Sequence, residues 1–453
     1  MATNTLAENK MGVMPVGKLL VNMASPIIVS MLVTAMYNII DSIYVAQVSE
    51  SAVTALSLAF PINNLQIAAA LGIGIGVNAH VSQSLGEGNQ RAVDQAAGNG
   101  VFLVFAAAAL FAIFGVFGVR PYYTAQSCVQ ETIEGGVAYT SICCIFSLGI
   151  FLEILGERLL QSSGRTIYTL VSQGLGSIIN IVIDPIFIYG LLGVPAMGVA
   201  GAAIATVIGQ WCGALLTVLL NFKFNPEVHF HFADLRPRKE SMVPILSVGI
   251  PTFVMNGIGS IMTFGINQIL QSFQETATGV MGVYFKLQSF FFMPLFGINN
   301  ATISIVAYNY GARKPDRIVK TLKITLGTGL AVMLLGLVCF QVGPQFFLSM
   351  FNPSDAFLEM GCKALRIISL SFPMAAIGVM LTASFQALGN GTDSAIVSIS
   401  RQLLVLLPAA YLLSLSGDVN LVWWAFPIAE IVSAVVTLVL FRRLYVKKIK
   451  PLF

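Results

Sequence analysis

Apolar runs long enough to cross a lipid bilayer recur from one end of this 453-residue chain to the other, and that repetition leaves few folds open. A helix rising 1.5 Å per residue needs about 20 apolar residues to span about 30 Å of hydrocarbon. Twelve runs meet that length, at 23–47, 52–80, 97–119, 133–158, 166–191, 198–222, 244–271, 279–308, 318–342, 358–386, 395–416 and 420–444. They are apolar all round rather than alternating, so transmembrane helices are predicted and a β-barrel is not. Composition agrees, since 56% hydrophobic residues against 10% charged, with a mean hydropathy of +0.84, cannot cover a water-soluble globule of this size.

Lys and Arg set the orientation. Most fall in stretches on the side of the two termini: Lys10 and Lys18, Arg91, Arg158 and Arg165, Lys223, Arg236 to Lys239, Arg313 to Lys323, Arg401, and Arg442 to Lys450. Only Arg120, Lys286, Lys363 and Arg366 remain, which predicts both termini in the cytoplasm. The net charge of +4 thus serves topology, and no nucleic-acid partner is expected. The polar first twenty residues show no small-residue cleavage pattern and are expected to be retained. Six cysteines without C-x-x-C spacing read as free thiols, and three scattered histidines do not make a catalytic metal site.

The chain also repeats itself. Pro26 in "SPIIVSM" matches Pro251 in "IPTFVMN", Gly86 in "QSLGEGNQRAV" matches Gly311 in "YNYGARKPDRIV", and "QSSG" ending at Gly164 matches "QALG" ending at Gly389, each pair 225 residues apart. One shared offset predicts two homologous halves, in the order 1–222, a cytoplasmic linker 223–243, and 244–453. Six spans in each half make the repeats parallel, so the expected fold is all-α, two pseudo-symmetric six-helix bundles around a central cleft. Neither a G-x-x-x-x-G-K-[ST] loop nor H-E-x-x-H occurs, and no polar segment is long enough for a catalytic module, so a transporter is predicted rather than an enzyme. "GIGIGVN" at 72–78 reads as small residues permitting close helix approach, not as a phosphate loop.

Ionisable residues inside spans cost about 2.5–3.5 kcal/mol each at a helix centre and therefore need a partner or a task. The candidates are Asp41, Glu153, Glu157, Asp184, Lys286, Arg366 and Glu430. Depth sorts them. Asp41 and Asp184 stand seven or eight residues before the outer ends of their outward-running spans, and Thr206 stands about eight into an inward-running one. All three sit about 10–12 Å below the outer surface. Asn180 and Tyr37 lie one turn deeper on the faces of Asp184 and Asp41, and Tyr139 reaches the same level. Pro185 removes a helical hydrogen bond beside the acids. The cluster can take up a proton between paired carboxylates, or wrap a Na⁺ with oxygens of Asp41, Asn180, Asp184 and Thr206. Lys286 and Glu430 are placed to form an ion pair in the second half.

The residues now resemble a known family. "SPIIVSMLVTAMYNIIDSIYVAQVSESAVTALSLAFPI", "SLGEGNQRA", "INIVIDPIFIYG" and "GVAGAAIATVIGQ" are similar to stretches of multidrug and toxic compound extrusion (MATE) transporters, and the MepA-like bacterial branch in particular. The resemblance implies an antiporter in the bacterial inner membrane that exports organic cations in exchange for H⁺ or Na⁺. It implies a cation site at Asp41, Asn180, Asp184 and Thr206, the cluster that depth assembles. NorM-type relatives carry an acid in span seven; the stretch here has Asn256 and no acid, and the positions 225 beyond Asp41 and Asp184 are Ile266 and Ala409.

Lipophilic cations call for a cleft with aromatic and apolar walls and some negative charge. Glu153, Glu157, Met293, Phe292 and Tyr284 are the candidate contacts, along with Phe291. No cofactor is expected beyond the coupling ion, and the chain is expected to act as a monomer. The alternative is a flippase or exporter of lipid-linked or other amphipathic substrates, which would need a larger cleft lined with cations.

Overall fold

The computed structural model describes residues 9–126, 128–351 and 354–453, and helices account for nearly all of them. In the first half these are α1 (Lys10–Val13), α2 (Val16–Ala46), α3 (Glu50–Gly86), α4 (Gln90–Phe117), α5 (Val119–Gln126), α6 (Gln130–Ile145), α7 (Leu148–Ser162), α8 (Ile167–Tyr189) and α9 (Gly198–Phe224). The second half contributes α10 (Lys239–Gln271), α11 (Glu275–Gly311), α12 (Pro315–Val342), α13 (Pro344–Ser349), α14 (Asp355–Ser369), α15 (Phe372–Ala387), α16 (Gly391–Ile399), α17 (Leu407–Ser414), α18 (Val419–Val422) and α19 (Ala425–Leu444). A π-helical stretch, Ser400–Leu406, joins α16 to α17.

Ten spans are continuous, and two more are broken: α6 bends by 46° into α7, and α14 by 48° into α15. The bends fall at matching places in the two halves, giving six spans to each. Several helices overrun the apolar runs that announce them, α3 and α11 by reaching Gly86 and Gly311. Their ends turn identically, with a left-handed residue at Gly88 (φ +70°) and, 225 residues on, at Arg313 (φ +52°).

Within the first bundle α3 packs on α4, α6 and α7, and α8 on α2 and α9; within the second, α11 and α15 pack on α12, and α15 on α19. The bundles meet where α3 lies against α10 and α11, and α2 against α11. The seam is two-fold in detail. A Cβ at Gly86 would collide with the Tyr308 carbonyl, and one at Gly311 with the Gln83 carbonyl. Residues 83 and 86 are the counterparts of 308 and 311, so the same contact is made twice. Gly72 against Phe253 and Gly297 against Ile28 repeat the pattern. All of these lie toward the end that carries both termini. Removing the Cβ lets two backbones approach, which is how membrane helices gain packing energy when no water is expelled.

α1 sits across this closed end. Asn9 Nδ2 donates to the Ser163 carbonyl (3.1 Å) and to Glu227 Oε1 (2.7 Å) on the first-half side. From the second half, Asn309 Nδ2 and Arg317 Nη2 donate to the Met11 carbonyl (3.1 and 2.9 Å), and Lys314 Nζ donates to that of Gly12 (3.1 Å). Met11 is fully buried. Burial pushes the Glu227 carboxyl above its ordinary range and the Lys10 ammonium below its own.

Candidate ion and substrate site

Close approach of α8 and α9 builds the site. A Cβ at Gly176 would lie 3.0 Å from the Gly209 carbonyl oxygen, and one at Gly209 would lie 2.8 Å from that of Gly176. The helices therefore touch backbone to backbone, and one turn further on Asn180 meets Thr206. With the amide turned so that both its ends are satisfied, Asn180 Nδ2 donates to Asp184 Oδ2 (3.2 Å) and its Oδ1 accepts from the Thr206 N–H (3.1 Å). Asp184 is fully buried and Asn180 nearly so. From α2, the Asp41 carboxyl comes close enough to that of Asp184 for the two charges to feel each other. Asp41 Oδ1 and Asp184 Oδ1 are both buried without a partner. Two acids from separate helices thus stand near each other at the depth at which the sequence places them.

Two cavities flank it. One, of about 660 Å³, is lined by Asp41, Tyr37, Tyr139, Asn63, Cys143 and Thr206 among others. The other, of about 330 Å³, is lined by Glu153, Glu157, Arg158, Asn180, Met293 and Asn300 among others. Tyr37, Ile67, Ile150, Thr206 and Gln210 line both, so the two cavities adjoin, one holding Asp41 and the other Glu157. Gly190 (φ +76°) ends α8 just beyond the acids.

The predicted contacts divide. Glu153, Glu157 and Met293 face the smaller cavity. Tyr284 and Phe292 do not. Tyr284 is buried against Phe426, with ring centroids 6.0 Å apart, and Phe292 packs edge-on against Phe372 at 5.7 Å. Both belong to the aromatic core of the second bundle. The expected Lys286–Glu430 pair is replaced by Arg401–Glu430, at 3.2 Å. The Lys and Arg pattern sets Arg158 and Arg401 in or beside loops on the side of the termini, yet both side chains turn into the bundles, Arg158 to the smaller cavity and Arg401 to Glu430. Gln161, Gln210 and Asn300 were also missed as lining residues; only the adjacent Glu157–Arg158 pair offered a signal. Among the described residues, no three His, Cys, Asp or Glu side chains gather where a metal ion could be held.

A family model, MatE, matches residues 26–186 and again 251–412, once in each half. The chain belongs to the MATE family. MATE relatives at low identity span almost its whole length. The FAD transporter of Shewanella oneidensis is 22% identical over 95% of each chain, and the multidrug export protein MepA of Staphylococcus aureus is 22% identical over 94% of this chain and 93% of its own. Among solved structures, a MATE family multidrug resistance transporter in an outward-facing conformation superposes with a TM-score of 0.91 at 24% identity. A MOP superfamily transporter from Pyrococcus furiosus gives the same score and identity; each likeness covers 99% of both chains. This MATE protein is therefore a multi-pass membrane transporter with the two-bundle architecture, not an enzyme.

Proposed function

We propose that this chain is a secondary antiporter that exports amphipathic organic cations across the bacterial inner membrane in exchange for H⁺ or Na⁺. The observation that carries the reading is the close approach of Asp41 and Asp184, each with a buried oxygen that no hydrogen bond fills, beside two adjacent cavities. Two carboxyl groups can hydrogen-bond only while one keeps a proton. Removing it leaves two like charges poorly solvated in a low-dielectric chamber, so proton or cation uptake changes the pair's energy strongly. Coupling follows if that energy differs between the two arrangements of the bundles.

Proton exchange is the better-supported of the two. Asn180 spends its carbonyl on the Thr206 N–H and turns its amide N–H toward Asp184, an arrangement that serves an acid pair rather than a ring of oxygens around Na⁺. We place both termini in the cytoplasm, which makes the glycine seam the cytoplasmic closure and the arrangement outward-facing. We read residues 1–222 and 244–453 as the two lobes and 223–243 as their linker. The names of the MepA relatives support multidrug efflux. A single chain carries both cavities, which supports a monomer. A lipid-linked export role finds less support, because one guanidinium, Arg158, faces the smaller cavity, rather than a basic lining.

Ethidium uptake into inverted vesicles, with pH and Na⁺ gradients imposed separately, tests this. Flux driven by the pH gradient is expected. Absence of flux under both gradients would end the antiport reading.

A further inference from the structure

The smaller cavity holds charges that exchange of a simple cation leaves unused. Glu157 and Arg158, adjacent on α7, both line it and are each 7% exposed. Arg158 donates through Nη1 to Gln161 Oε1 (2.8 Å), but its Nε has no partner, and neither has Glu157 Oε1. A Cβ at Gly74 would lie 2.8 Å from Arg158 Cγ, so the glycine on α3 makes room for the guanidinium stem along the cavity wall.

The fold itself does not require these charges. Gln161 to Gly164 correspond to Gln386 to Gly389, and in that register Glu153, Glu157 and Arg158 answer to Gly378, Thr382 and Ala383. The second bundle forms the same bent span with neutral residues, and Ala383 is fully buried in its core. A buried acid and a buried guanidinium with unfilled hydrogen-bonding atoms are costly unless something completes them. Neutral amides at Gln173, Gln210 and Asn300 add further donors and acceptors to the same wall.

We infer that this cavity selects solutes carrying an anionic group as well as a cationic one, the anion meeting Arg158 and the cation meeting Glu153 and Glu157. The inference rests on the export reading and narrows its substrate class from plain lipophilic cations to zwitterions. An arginine offers a planar fork suited to a carboxylate, and a partner lacking that group leaves the fork unpaired.

Rhodamine B and its ethyl ester are a matched pair, since both carry the same cationic ring system and only the acid carries a carboxylate. Fluorescence anisotropy with the full-length protein in detergent measures their binding. The acid is expected to bind about tenfold more tightly than the ester, the usual scale of one charge-assisted hydrogen bond. Arg158→Gln abolishes the acid's advantage over the ester. Arg158→Lys keeps part of the preference, and Glu157→Gln weakens both dyes. The wild-type comparison needs no variant to fold. Equal wild-type affinities, or a preference that survives Arg158→Gln, would overturn zwitterion selection while leaving cation export standing. Binding of neither dye would overturn it as well, and if ethidium flux is also absent the export reading falls with it.

Discussion

The two bundles share helix order, bends and seam contacts, yet acid-lined cavities border the first where an aromatic cluster packs the second. In the first, Asp41 lines a cavity of about 660 Å³ and Glu153 and Glu157 an adjacent one of about 330 Å³, with Asp184 fully buried beside Asp41. In the second, Phe291, Phe292, Phe340 and Phe372 interlock with centroids 5.4 to 6.4 Å apart. Its buried acid, Glu430, is matched by Arg401. The two scaffolds are alike, and among the described residues buried carboxylates without a cationic partner, Asp41 and Asp184, stand only in the first. Because an unpaired buried acid is costly, the difference locates work rather than stability.

The sharpest break of that asymmetry is at the acids. Asp41→Asn and Asp184→Asn should each abolish ion-driven ethidium flux with the protein still folded, whereas Glu430→Gln should leave flux measurable. Flux lost only in the second-bundle variant would invert the comparison. Next in size, Arg401→Gln should cost about 3–5 kcal/mol by leaving Glu430 buried and alone, seen as a lowered midpoint of thermal unfolding. Phe372→Ala should cost about 3 kcal/mol, toward the low end for a core aromatic because lipid replaces water as the reference surroundings. Ile150→Ala, at a cavity wall, should cost much less by the same assay. Most symmetric, Gly86→Ala and Gly311→Ala should each cost at least about 1–3 kcal/mol, because the added methyl lands on backbone that cannot swing aside. The two values should agree, since the colliding groups are counterparts. A large disagreement would mean that the seam is not two-fold in energy.

Spans, repeat and the convergence of Asp41 with Asp184 were legible because each depends only on counting residues along a helix of known rise. What depends on which way a helix faces was not. α11 is apolar all round, so nothing in its sequence turns Tyr284 and Phe292 toward the second-bundle core and Met293 toward the first-bundle cavity. The bends after α6 and α14 were missed because a kinked span and a straight one share one hydropathy signature. Arg158 and Arg401 were set beside loops for a related reason: counting Lys and Arg sorts residues by side of the membrane and says nothing of which way a side chain turns, whereas Arg158 lies within α7, which continues to Ser162, and Arg401 within the π-helical stretch Ser400–Leu406. α1 escaped notice altogether, since a single helical turn in a polar tail carries no periodicity.

That turn has a practical consequence. Met11 and Gly12 are gripped by Asn309, Lys314 and Arg317 while Asn9 holds the opposite half, so parting the closed end requires this peptide to be let go on at least one side and caught again in every cycle. An affinity tag or reporter fused ahead of Asn9 is attached to a moving clasp, and turnover measured on such a fusion includes the drag of its own label; carboxy-terminal fusions are the fairer choice for kinetics.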